Sequence, residues 1–254
     1  MQPSTTIGTK DGVVQEDDFL KNARAPRPVQ WRRGAGAIKA LALGQGGLDS
    51  VYTVVDAVGG MCEERLFQRF SKAAEGRRLL AERPDLPGIL GDHATLAAMP
   101  EGSLGRVFVD LCQRVGMNSV KKVESQRRMS RDYNELDPAR QWFTDRLNVL
   151  HDLWHVLTGY ATQTRGEAAM VAFSYAQGLD YRPVPIFMTM SVALRLIRIG
   201  ELHAAYRRGR KTKALMLQRY EELLPLPLSV VRERLAIPDG RLWHGPRAGE
   251  GLLV

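Results

Sequence analysis

Apolar side chains recur at helical spacing along most of the chain, and no segment alternates apolar with polar residues as a strand would. The helical pattern begins near Ala37. Over 48–74 the positions Val51, Val54, Val55, Val58, Leu66, Phe67 and Phe70 predict one helix or two, interrupted near Gly59-Gly60. Residues 83–101 hold Pro84, Pro87, Gly88, Gly91 and Pro100 and read as a connection. A helix is predicted over 103–115. Residues 116–137 are polar and charged, with Lys121, Lys122, Arg127, Arg128 and Arg131, and no helix is assigned to them. The next helix is predicted over 138–157, with Asp137 as its cap, Pro138 in its first turn and Gly159 at its end. Further helices are predicted over 166–178, 185–206, 215–224 and 229–235, with Pro225 and Pro227 punctuating the last two. Without a repeat or a clear linker, the simplest reading is all-α: a single multi-helix domain over 37–240. A flexible basic N-terminal segment, 1–36, and a tail, 241–254, flank it.

The middle helix carries the chemistry. Phe143, Leu147, Leu150, Trp154 and Leu157 form one apolar stripe, and Trp142, Val149, Leu153 and Val156 form a second apolar side. Between them runs a polar strip of Thr144, Asn148, His151, Asp152 and His155. A helix apolar on both flanks is largely buried, so the strip needs partners inside the protein. His151, Asp152 and His155 share one side, where imidazole nitrogen and carboxylate oxygen are usual ligands of divalent first-row metals. Glu167 lies sixteen residues past His151, which a continuing helix would carry to the far side. Gly159 and the polar segment 162–164 permit a turn, so Glu167 is expected in the first turn of an antiparallel helix, pointing back at the strip. The site expected is thus a metal held by His151, Asp152, His155 and Glu167 between two antiparallel helices. Thr144 and Asn148 are candidates for supporting contacts behind it. The competing reading is a hydrogen-bonded core histidine pair. A zinc peptidase would need Glu inside the HxxxH spacing. A phosphohydrolase built on an HD pair would need His93 and Asp180, whose context does not support it.

Composition narrows the partners. The 254 residues include 36 Lys+Arg against 28 Asp+Glu, a net charge of +8, which favours an anionic partner. The basic residues are dispersed and come with no stacking platform, so nucleic acid is not expected. No apolar run is long enough to span a membrane. Cys62 and Cys112 are expected to be buried, reduced thiols. The N-terminus lacks the features of a signal peptide, and the expected location is cytoplasmic.

The segment HDLWHVLTGY with Glu167 matches the HDxxH-x11-E motif of the ubiquinone (coenzyme Q) biosynthesis family known as Coq4. Met99 to Arg106, reading MPEGSLGR, resembles that family's segment before a helix, and 206–237 resembles its C-terminal part. The resemblance covers about residues 45–237. It implies an all-helical fold and a divalent metal at His151, Asp152, His155 and Glu167, usually described as zinc. It also implies a role in ubiquinone assembly beside other proteins of the pathway, at the surface of the inner membrane. Two functions follow from it. One is C1 decarboxylation, oxidative in character, of a polyprenylated 4-hydroxybenzoate, a lyase reaction. The other is a non-catalytic scaffold that holds the polyprenylated aromatic lipid and organises the biosynthetic complex. Replacing a carboxyl by a hydroxyl is an oxidation, which zinc alone does not perform, so iron or another redox-active metal is a further candidate. Val171, Phe173, Tyr175, Ile186, Phe187, Met188 and Met190 are candidates for a lipid groove. Arg207, Arg208, Arg210 and Lys211, continued by Lys213, are candidates for contact with an anionic membrane. Arg24, Arg27, Arg32 and Arg33 invite the same idea, and a homodimer is compatible with all of it.

Overall fold

The computed structural model describes residues 28–42, 45, 48–131, 133–179, 184–193 and 195–238, and among these it is all-helical. The order is α1 (Trp31–Ala42), α2 (Leu48–Val58), α3 (Cys62–Lys72), α4 (Ala74–Glu82), α5 (Leu86–Gly91), α6 (His93–Ala97) and α7 (Leu104–Val115). Then come α8 (Ser119–Met129), α9 (Pro138–Thr158), α10 (Thr164–Ala176), α11 (Val184–Ala193), α12 (Ile199–Lys211), α13 (Tyr220–Leu223) and α14 (Leu228–Arg234). The described helices form one domain around α9.

The sequence explains why α9 is central. Its 21 residues make a rod of about 30 Å, and both apolar sides find partners. Phe143 meets Phe67 and Phe70 of α3, with ring centroids 5.5 and 5.0 Å away. Val149, Leu150, Leu153, Trp154, Val156 and Leu157 join the larger core with Phe108, Met170 and Phe173. Trp154 carries a polar handle, and its indole N–H donates to the Tyr220 hydroxyl at 3.0 Å. Charges on α9 are paired rather than free. Arg140 binds Glu64 through two hydrogen bonds, 2.7 and 2.8 Å. The fully buried Arg146 meets Glu221 at 2.5 Å. Asp145 accepts from Arg127 and from Tyr133.

Local signals set both ends of α9. The Asp137 carboxylate accepts from the backbone N–H of Ala139 and Arg140, and Gly159 closes the helix at φ +77. The last carbonyls are then capped from afar. Arg232 donates to the carbonyls of Leu157 and Val156 at 2.8 and 2.9 Å, and Arg208 donates to that of Thr158 at 3.1 Å. Cations at a helix C-terminus are favourable on electrostatic grounds as well.

Several boundaries differ from the sequence expectation. Helix begins at Trp31 rather than Ala37, because Arg33 ion-pairs with Asp56 of α2 and draws the basic segment onto the domain. The connection expected over 83–101 contains α5 and α6, each started by an aspartate cap, Asp85 or Asp92. The charged stretch 116–137 contains α8, capped by Asn118. The helix expected over 185–206 is two, α11 and α12, separated at Arg195, whose φ is +58. The helix expected over 215–224 is a 3-10 turn, Leu215–Leu217, followed by the single turn α13. Arg24, Arg27, Asp180 and the tail 241–254 lie outside the described residues.

Candidate metal centre

His151 and His155 stand one turn apart on α9. The turn at Gly159 reverses the chain, and α10 brings Glu167 back in its first helical turn. A close approach makes this possible: a Cβ on Gly166 would lie 2.0 Å from the Ala161 carbonyl oxygen, so only glycine lets α10 start this near the turn.

Three donor atoms converge as a result. His155 Nε2 lies 3.1 Å from His151 Nε2 and 3.2 Å from Glu167 Oε1. His151 Nε2 lies 3.2 Å from Glu167 Oε2. The His155 Nδ1–H donates to the Tyr160 carbonyl at 3.0 Å, so in the neutral ring Nε2 is the atom with a free lone pair. Two imidazole nitrogens and a carboxylate aimed at one another need a shared proton or a cation among them. Burial pushes His155 toward its neutral form, yet hydrogen bonding and charge from Glu167 raise its pKa above the ordinary histidine value. Burial likewise works against the Glu167 carboxylate, but the two imidazoles hold its pKa far below the usual range.

The same donors fit a metal. Atoms 3.1–3.2 Å apart can all lie about 2.1 Å from one common point, an ordinary metal–ligand distance. His155 is buried, whereas the His151 and Glu167 side chains are each 36% exposed, so the cluster opens toward solvent on one side. The Tyr160 carbonyl is the kind of outer partner that fixes a ligating imidazole. Among the described residues, this is the group of side chains suited to holding a metal.

Asp152 departs from the expectation. It is buried, but it does not join the three donors; its Oδ1 ion-pairs with Lys122 of α8 instead. The helical wheel gives the reason. His155 projects between its neighbours, about 40° from His151 and about 60° from Asp152. α10 covers the His151 flank and α8 covers the Asp152 flank. The expected supporting residues do not touch the donors either. Thr144 donates to Glu63. Asn148 accepts from the Tyr52 hydroxyl at 2.8 Å and donates to the Lys122 carbonyl at 3.3 Å. Lys122 is the residue that sequence reasoning missed, since its partner lies thirty positions away and no local pattern marks it.

The lipid-groove candidates are scattered. Phe173 is plain core, Val171 and Tyr175 are half-buried, and Tyr175 lies against Tyr206 with ring centroids 6.5 Å apart. Phe187 is exposed, Met188 packs on the core, and the side chains of Ile186 and Met190 lie outside the described residues. Of the basic run, Arg207, Arg210, Lys211 and Lys213 are exposed. Arg208 is not a surface contact: it turns inward, holding the carbonyls of Thr158 and Pro238 and lying over the Tyr160 ring. Both cysteines are buried thiols outside any disulfide; burial, then the nearby Asp152 charge, pushes the Cys112 thiol up to about 12. A separate cleft, lined by Tyr52, Asp56, Glu63 and Gln126, reaches α9 at Thr144, about 10 Å along the axis from His151.

Comparison with known proteins identifies the family and the fold. A ubiquinone biosynthesis protein COQ4 homolog, mitochondrial, of Rattus norvegicus is 26% identical over 197 residues, covering 74% of this chain and 71% of its own. The mitochondrial ubiquinone biosynthesis protein coq4 of Aspergillus fumigatus is 29% identical over 183 residues, covering 65% of this chain and 58% of its own. A crystal structure of a Nostoc punctiforme protein superposes with a TM-score of 0.59 at 24% identity, covering 84% of this chain and all of that one, which shows a shared fold. The family model described as "Coenzyme Q (ubiquinone) biosynthesis protein Coq4" matches residues 35–240, and the chain belongs to that family.

Proposed function

We propose that this chain is a metal-dependent enzyme of ubiquinone biosynthesis that replaces the C1 carboxyl group of a polyprenylated 4-hydroxybenzoate by a hydroxyl. The observation that carries the reading is the convergence of His151, His155 and Glu167 at a partly open point. Two imidazoles and one carboxylate with further positions open are the donor set of non-haem iron oxygenases, and zinc accepts the same atoms. Bound there, a metal would supply a Lewis acid for the substrate carboxylate and, if redox-active, a route to dioxygen.

The net reaction breaks the bond between C1 and the carboxyl carbon and forms a bond from C1 to oxygen. The acid, O2 and an external two-electron, two-proton donor such as ascorbate give the phenol, CO2, water and the oxidised donor. The electron demand favours iron or another redox-active metal over zinc. Around the metal, the protein's own groups orient. The Tyr160 carbonyl fixes the tautomer of His155, and Glu167 aligns both rings.

The same proposal puts the polyprenyl substrate at an anionic membrane surface, met by α12. Ile199, His203, Tyr206, Arg207 and Arg210 share one exposed side of that helix, and Ile199 is 74% exposed. No helix among the described residues is long and apolar enough to cross a membrane. Metal analysis of wild type and His155→Ala, followed by an aerobic assay with a short-chain prenylated 4-hydroxybenzoate and ascorbate as electron donor, tests the enzyme. Metal-dependent formation of the C1 hydroxyl supports it. A metal-free wild type that yields no product but still assembles with other proteins of the pathway replaces it with the scaffold.

A further inference from the structure

We infer that Lys122 is a positioning residue that keeps Asp152 out of the metal's ligand set. The inference rests on the metal reading above and concerns which residues complete the site. Asp152 is only three residues from His155 on the same helix, near enough that a side-chain rotation would bring a carboxylate oxygen toward the donors. Two observations bear on that rotation, in opposite directions. Its Oδ1 is ion-paired to the Lys122 ammonium, on a side chain only 11% exposed, and its Oδ2 is shut off from solvent with no hydrogen-bond partner. A buried carboxylate oxygen without a partner is a strong incentive to rotate. The Lys122 pair outweighs it.

Lys122 is placed for this task by its neighbours. Asn148, one turn before Asp152 on α9, donates to the Lys122 carbonyl, and the Tyr52 hydroxyl of α2 holds Asn148 in turn. Three helices therefore fix the stretch of backbone from which that ammonium group projects. The consequence is an open position. Were Asp152 a ligand, the metal would have one open position fewer and the Lys122 ammonium would be left buried without its carboxylate. Lys122 thus preserves a place for a further ligand, which suits a substrate carboxylate.

The test uses cobalt(II) as the probe, with its visible absorption reporting the ligand set and a titration reporting affinity. Wild type, Lys122→Met, Lys122→Arg and the double variant Lys122→Met/Asp152→Leu are compared. Exchanging a buried ion pair for apolar residues is commonly tolerated, whereas leaving one partner alone is not. The double variant should bind one cobalt with the wild-type spectrum and an affinity within about tenfold of wild type. Lys122→Met should show an altered spectrum and tighter binding, because the released Asp152 joins the metal. Lys122→Arg should restore the wild-type spectrum. A double variant that loses more than about tenfold in affinity, or changes its spectrum, makes Asp152 a ligand and overturns the inference. If the double variant does not fold, identical spectra for Lys122→Met and Lys122→Arg overturn it, and different spectra support it. Failure of wild type to bind cobalt removes the metal reading itself, and this inference with it.

Discussion

Gly166→Ala is the sharpest test of how the fold builds the donor cluster. The added Cβ would sit 2.0 Å from the Ala161 carbonyl oxygen and 2.7 Å from that residue's carbonyl carbon and nitrogen. Reaching an ordinary contact requires the first turn of α10 to withdraw by about 1.4 Å, since a backbone carbonyl cannot swing aside as a side chain does. Overpacking of this kind costs about 1–3 kcal/mol, partly offset by the better helix propensity of alanine. Glu167 is the next residue and shares the displacement. A site tolerates about 0.5 Å of misplacement, so metal affinity should fall about 10- to 100-fold. Denaturant unfolding and cobalt titration measure the two effects separately. Gly209→Ala is the matched control. Its Cβ would lie 2.4 Å from the Phe173 carbonyl oxygen, straining α10 at about 9 Å from Glu167. It should lose comparable stability and keep its metal affinity. Gly200→Ala, with nothing within 4 Å, should gain up to about 0.5 kcal/mol. Wild-type metal affinity in Gly166→Ala, or an equal loss in Gly209→Ala, would refute the argument.

Other expectations follow from the same geometry. Glu167 raises the pKa of His155, so a proton competes with the metal, and binding should tighten between pH 6 and pH 8; equal affinity at both would count against the shared site. In chelator-treated protein the His155–Glu167 pair has two limits. The raised histidine contributes stability that is complete below its unfolded value of about 6.5 and lost as pH climbs through the folded value. The depressed carboxyl contributes stability that is present above about pH 4.3 and lost as pH falls through its folded value. Urea midpoints of wild type and Glu167→Gln should therefore differ most between those two values. Arg232→Ala strips two carbonyls at the end of α9 of their donor and should cost about 1–3 kcal/mol, while the exposed Arg210→Ala should stay within about 0.5 kcal/mol. Charge reversal at Arg207 and Arg210 should lower co-sedimentation with anionic vesicles without moving the melting temperature; unchanged sedimentation would remove α12 as the membrane-facing element.

Much of this was legible before the structure, for identifiable reasons. α9 is announced by local chemistry: Asp137 and Pro138 at its start, Gly159 at its end, two apolar sides between. The turn that returns Glu167 was inferable because a continuing helix would waste that carboxylate. α8 was not legible, because its basic residues look like a solvated stretch until their partners are known. Lys122, Arg127, Arg128 and Arg131 meet Asp152, Asp145, Asp49 and Asp56, all far along the chain. The break between α11 and α12 falls at Arg195, where no glycine or proline marks it. α5 and α6 did carry signals, in Asp85 and Asp92, but the surrounding Gly and Pro residues outweighed them. Asp152 shows the limit of spacing arguments. Sharing a helix face with two histidines allows a common target, and the tertiary neighbour on each flank decides whether it is used.

The arginine caps on α9 have a consequence for how the molecule comes into being. His151, His155 and Glu167 span a short stretch of chain, yet the helix end that supports them is secured by Arg208 and Arg232, 50 and 75 positions beyond the carbonyls they hold. During synthesis the three donors leave the ribosome well before either arginine exists, so the centre stays provisional until nearly the whole domain has emerged. Chains that stop short of Arg232 would carry every donor and still lack the clamp. A premature terminator before Arg232 should therefore weaken the support of the centre while leaving every donor in place.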